Sequence, residues 1–160
     1  MTQRAAPTVE IVVLDDAWRA KLRSCRALAA RAVDAALAGR RLRRRATLVV
    51  ALANDRTVRR LNRDHRGRDK ATNVLAFAER DAHSPDPGSL GDIVLALGTV
   101  AREAKAQGKT LAQHAQHLVV HGTLHLLGFD HVDEAEARRM EAAERRALAR
   151  IGVPDPYRPR

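Results

Sequence analysis

Apolar residues gather in four short runs and recur at helical spacing in the stretches between them. Thr8 to Leu14 reads as a strand. So does Thr47 to Ala53, which is apolar enough throughout to be covered on both faces. Thr72 to Phe77 and Asp92 to Leu97 add two more. After the first strand, Trp18, Leu22, Cys25, Ala29, Val33 and Ala36 follow one helical stripe, from a cap at Asp15-Asp16 to a stop at Gly39. Cys25 lies on that stripe and is expected in the core. Asn54-Asp55 caps a short helix carrying Val58 and Leu61. The charged stretch from Asn62 to Lys70 reads as a loop, as do residues 79–90 with Pro85, Pro87 and Gly88. Thr99 opens a helix that Gly108 closes, and Thr110-Leu-Ala-Gln113 is a capping box for one ending near Leu127. Asp133 and Glu136 start the last helix, with Met140, Leu148 and Ile151 on its apolar side.

Strands that come mostly early and helices that come mostly late predict an α+β fold, a mixed α/β layer with one four-stranded sheet and about five helices. At 160 residues, without repeats or internal linkers, residues 1–160 are expected to form one domain, with 1–7 and 153–160 as flexible tails. The single cysteine excludes an internal disulfide, and no stretch is apolar and long enough to span a bilayer. Met1 to Glu10 lacks the basic-then-apolar order of a signal peptide. A cytoplasmic protein without a membrane partner is the expectation.

Charge alters this bland picture, because the net charge of +10 is unevenly placed. Residues 1–70 hold 18 Lys and Arg against 7 Asp and Glu, whereas residues 71–160 hold 11 against 12. A basic face that meets a polyanion explains such asymmetry, since Lys and Arg bind phosphate backbones by displacing condensed counterions. A solvated surface is the plainer alternative. The densest positive segment comprises Arg40, Arg41, Arg43, Arg44 and Arg45, with Arg68 and Lys70 following in the charged stretch. These seven are the candidate RNA-binding residues. Aromatics are few, so phosphate contacts rather than base stacking must dominate.

Chemistry concentrates in His121-Gly-Thr-Leu-His125-Leu-Leu-Gly128-Phe-Asp-His131. Side chains four apart on a helix stack on one face at roughly 5–6 Å, close enough for two imidazoles to grip one metal ion. A third ligand six residues on requires the helix to stop, and Gly128 stands where a left-handed residue would turn the chain back. Three neutral imidazoles leave the ion its full charge and an open position, the arrangement of a catalytic zinc site. Zn2+ suits them, and nickel, copper and iron accept them too. His114 and His117 extend the same helix face, as surface residues or as outer partners that orient a ligand or water. The spacing also fits the metzincin protease pattern, except that Gly122 occupies the place of its glutamate base. Peptide hydrolysis would then depend on another carboxylate, such as Asp92 or Asp130.

The eleven residues match H-G-x-L-H-L-x-G-[YF]-D-H throughout, which resembles the YbeY family of bacterial endoribonucleases. Asn62 to Phe77 is similar to that family's N-R-x-[YH]-R-x-x-D-x-P-T-[DN]-V-L-S-F block, with Ala71 for its proline and Ala76 for its serine, and Leu90 to Val94 is similar to its L-G-D-I-V strand. The resemblance implies a zinc-dependent, single-strand-specific endoribonuclease acting in ribosomal RNA maturation and ribosome quality control. Small-subunit ribosomal RNA and ribosome-associated proteins are the implied partners. It further implies that Arg66 takes part in RNA cleavage, which suits a guanidinium's two-pronged contact with phosphate. A metallopeptidase and a non-catalytic, RNA-binding ribosome-assembly factor remain as alternatives. An acidic group near the metal-bound water would favour the first, and a closed fourth ligand the second.

Overall fold

In the computed structural model, which describes residues 8–40, 46–79 and 89–158, the four apolar runs pair into a single sheet. The strands are β1 (Thr8–Val13), β2 (Thr47–Ala53), β3 (Val74–Ala78) and β4 (Ser89–Ala96), in the order β1-β2-β4-β3. β1, β2 and β4 run parallel, and β3 closes the edge antiparallel to β4. β2 sends Leu48, Val50 and Leu52 into the large core and Ala51 and Ala53 into a smaller one on the opposite face. This is the two-sided burial its apolar run anticipated.

Among the described residues six helices complete the α+β fold: α1 (Ala17–Lys21), α2 (Cys25–Leu37), α3 (Asp55–Arg66), α4 (Leu97–Ala106), α5 (Leu111–Leu126) and α6 (Glu134–Arg150). The additional helix arises because the long stripe after β1 is broken. Leu22, at φ −147° and ψ 89°, leaves the helical region, and α2 restarts at Cys25. The break lets fully buried Trp18 donate its indole N–H to Ala53 O at 2.8 Å, while Cys25, Ala29, Val33 and Ala36 line α2 in the core. Helical spacing on either side of a break looks continuous, so the sequence did not disclose it.

A second departure carries more functional weight. Asn62 to Arg66, expected as the start of a loop, forms the last turns of α3, which ends on Gly67 at φ +67°. Its charged residues face solvent, whereas Asn62 is buried and donates to Lys70 O at 2.9 Å, tying the following turn to the helix. α3 covers the smaller core, with Val58 against Leu75 and Val94.

α5 is the central helix, packed against β3 and β4 and flanked by α2, α4 and α6. It lies close against the sheet at Gly122, where an added Cβ would stand 3.0 Å from Ile93 Cγ2. The position that carries a glutamate in metzincins therefore faces packed, fully buried Ile93 of β4. Gly122→Glu is expected to destabilise the protein by about 3 kcal/mol or more, through overpacking and a buried carboxylate, and to confer no peptidase activity. Urea unfolding with unchanged midpoint would refute this packing argument.

Candidate metal centre and its cleft

The capping box predicted at Thr110 is present, with Thr110 Oγ1 accepting from Gln113 N and Gln113 Oε1 from Thr110 N, both at 3.1 Å. At its other end α5 closes in a Schellman motif. Gly128, at φ +102°, donates to His125 O at 3.0 Å, and Phe129 donates to Leu124 O at 3.1 Å. The chain then turns back as the spacing required. His121, His125 and His131 each offer a ligand nitrogen, and these atoms all lie within 4.8 Å of one another.

Two features fit this group to a divalent transition metal. Burial, followed by the nearby His121 and His131, pushes the His125 pKa below its ordinary value, which favours the neutral imidazole a metal needs. His121 Nδ1 lies 2.5 Å from Glu144 Oε1 on α6, so the carboxylate is placed to accept a hydrogen bond from Nδ1–H, which leaves Nε2 to a metal. Glu144 is fully buried. Burial alone would raise its pKa, but hydrogen bonds from His117, His121 and Tyr157 hold it at about 2. An ionised, hydrogen-bonded carboxylate behind a histidine ligand is the usual way to fix its tautomer and ring plane.

His117 accordingly belongs to this outer network, with Nε2 3.2 Å from Glu144 Oε2. His114 is buried rather than a surface group, with Nε2 3.0 Å from Glu103 Oε1, which also accepts from Asn73 Nδ2 at 2.9 Å. Neither Glu144 nor Tyr157 was foreseen from sequence, although Glu144 carried a signal. It is a lone carboxylate on the α6 stripe formed by Met140, Ala143, Ala147 and Leu148, all buried. The segment 153–158, expected as a tail, lies against α6, where the Tyr157 hydroxyl donates to Glu144 Oε2.

The three histidines line one side of an open cleft of about 330 Å³, and Arg66, Asn73 and Ala76 line the other. Arg66 ends α3 rather than sitting in a loop. Its Nη2 donates to Ala76 O at 2.8 Å, and its guanidinium carbon lies 5.5 Å from the Phe77 ring centre. Among the described residues the cleft lining contains no carboxylate, and no fourth His, Cys, Asp or Glu joins the histidine group. Asp130 accepts from His131 N at 2.7 Å and faces a different hollow. Asp92, whose pKa is raised by burial and then by Glu79, is likewise not part of the lining.

Three of the seven candidate RNA-binding residues, Arg40, Arg68 and Lys70, fall within the described residues. Arg68 and Lys70 are exposed in the turn after α3. Arg40 is half-buried, donating to Ala36 O at 2.9 Å and lying 4.8 Å above the ring of Phe129, two residues from His131. Burial and then the charges of Arg146 and Arg150 lower its pKa. Arg41, Arg43, Arg44 and Arg45 lie outside the described residues.

A family model described as Endoribonuclease YbeY matches residues 12–152, a span holding all three histidines and Arg66. The chain belongs to the YbeY endoribonuclease family. A YbeY endoribonuclease of Rhodopseudomonas palustris is 48% identical to it over 98% of this chain and 84% of its own length. One of Paramagnetospirillum magneticum is 56% identical over 69% of this chain and 70% of its own. A solution structure from Thermotoga maritima superposes with a TM-score of 0.54 at 20% identity, covering 90% of this chain and 91% of that one. At that identity the superposition supports a shared fold alone. No helix of the described residues is long and apolar enough to cross a membrane.

Proposed function

We propose that this chain is a zinc-dependent endoribonuclease that cleaves exposed single-stranded RNA during ribosomal RNA maturation. The observation that carries the proposal is one cleft presenting three imidazoles on one wall and a guanidinium on the other, without a carboxylate among its described lining. Zinc bound there would supply a concentrated positive charge and Lewis acidity toward a phosphate oxygen. Glu144 keeps His121 in the tautomer that exposes Nε2, and the turn at Gly128 holds His131 beside the other two rings. Arg66 lines the same cleft, and its guanidinium is suited to two oxygens of a phosphate that gains charge in the transition state. A metzincin-type peptidase would need a carboxylate base at the same place, which disfavours that reading.

The relatives named Endoribonuclease YbeY support RNA as the substrate. The family resemblance extends the proposal to small-subunit ribosomal RNA, to ribosome-associated proteins as partners, to ribosome quality control and to a cytoplasmic setting. The deciding experiment compares zinc-loaded and metal-stripped protein on single-stranded and duplex RNA. Cleavage of the single strand by the loaded form alone is expected, and no cleavage of any RNA would leave the assembly-factor reading in its place.

The basic segment provides a separate test. Replacing Arg41, Arg43, Arg44 and Arg45 by glutamine should weaken binding to single-stranded RNA without changing sequence preference. The slope of log affinity against log salt should flatten by roughly 0.7 for each phosphate that is no longer neutralised. An unchanged slope would reduce the run to a solvated linker. Arg40 lies over Phe129, two residues from His131, with the charges of Arg146 and Arg150 of α6 near it.

A further inference from the structure

Glu144 is held from both sides. Its Oε1 meets His121 Nδ1, while its Oε2 meets His117 Nε2 at 3.2 Å and accepts from the Tyr157 hydroxyl. Tyr157 comes from the final described turn of the chain, which is itself pinned to α6. Its backbone N–H donates to Asp155 Oδ1 at 2.9 Å, and Asp155 pairs with Arg145 Nε at 3.1 Å. The Arg145 guanidinium carbon lies 5.5 Å from the Tyr157 ring centre, and that ring meets His117 edge-on at 5.7 Å. Residue 145 is the immediate neighbour of Glu144, so the strap and the carboxylate are fixed to the same turn of helix.

We propose that Tyr157 is a positioning residue of the metal centre, acting through Glu144 to set the orientation of the ligand His121. This inference rests on the reading of the three histidines as metal ligands. A carboxylate's terminal torsion is broad and roughly two-fold, so a buried glutamate held at one oxygen alone can swing. The phenol, with His117, anchors Oε2, and the planar group must then present Oε1 to the Nδ1–H of His121. Burial and the adjacent carboxylate raise the Tyr157 pKa above its ordinary value, so the hydroxyl remains a donor. Residues 153–158 thus complete the metal centre's outer hydrogen bonding from the far end of the chain.

The test measures zinc affinity by competition with a chromophoric chelator, together with the absorption spectrum of the cobalt-substituted protein. It compares wild type, Tyr157→Phe, Glu144→Gln and the double variant. Phenylalanine keeps the ring against His117 and Arg145 and deletes only the hydroxyl. Glu144→Gln is expected to lower zinc affinity by roughly ten- to a hundredfold, as for other direct outer partners of a ligand, and Tyr157→Phe by roughly three- to tenfold, being one bond more remote. Tyr157→Phe should also shift the cobalt spectrum, and should cost nothing further once Glu144 is glutamine. Wild-type affinity and spectrum in Tyr157→Phe would overturn the inference. So would a loss that persists undiminished in the Glu144→Gln background, since the strap would then act only by stapling α6. A wild type that takes up neither zinc nor cobalt overturns the metal reading itself, and this inference with it.

Discussion

Alanine in place of His125 is expected to remove bound zinc and RNA cleavage together. His125 is one of the two proposed ligands carried by α5, one helical turn from His121, with ring centroids 4.7 Å apart. Without it the metal keeps one helical imidazole and the exposed His131, too few for a stable site. Affinity should fall by more than the roughly 10–100-fold that outer partners cost. The fold should survive, because the side of α5 facing the core is built by Leu118, Val119, Val120 and Leu124, all buried. Metal content after dialysis, read beside circular dichroism and a cleavage assay, checks all three statements. Stoichiometric zinc retained by His125→Ala would end the metal assignment, whatever happened to activity.

Arg66→Ala separates catalysis from binding of the metal. If the guanidinium stabilises charge that grows in the transition state, its loss should raise the barrier by about 2–4 kcal/mol, or roughly a hundredfold or more in rate. Zinc content and stability should stay near wild type, since Arg66 is exposed and its hydrogen bond goes to the backbone of β3. Arg66→Lys should restore part of the rate, because an ammonium keeps the charge but loses the fork that meets two oxygens. Metal-stripped wild type assayed in parallel excludes a contaminating nuclease. An Arg66→Ala protein that cleaves single-stranded RNA at the wild-type rate would remove the residue from the mechanism and leave the three-histidine site untouched.

These expectations differ in how early they could be formed. The histidine triad was legible from eleven consecutive residues, because helical spacing and one glycine at the turn are local constraints that the rest of the chain need not supply. The strands were legible for the same reason, their apolar runs being long enough to demand a covered sheet. Helix ends were less so. The break at Leu22 preserved the stripe on both sides, and the charged end of α3 looked like a loop because a solvent-facing helix and a loop share the same polar composition.

What the sequence determined by itself was therefore the local geometry of the three histidines and the resemblance that pointed to RNA. The tertiary structure alone decided what faces them. Arg66 reaches the cleft because α3 packs over one face of the sheet and β3 carries Ala76 to the rim, beside α5 on the other wall. Glu144 reaches His121, and Tyr157 reaches Glu144, because α6 packs along α5 and the last described turn lies against α6. No periodicity encodes such meetings between distant segments, since they follow from burying several apolar faces against one another at once.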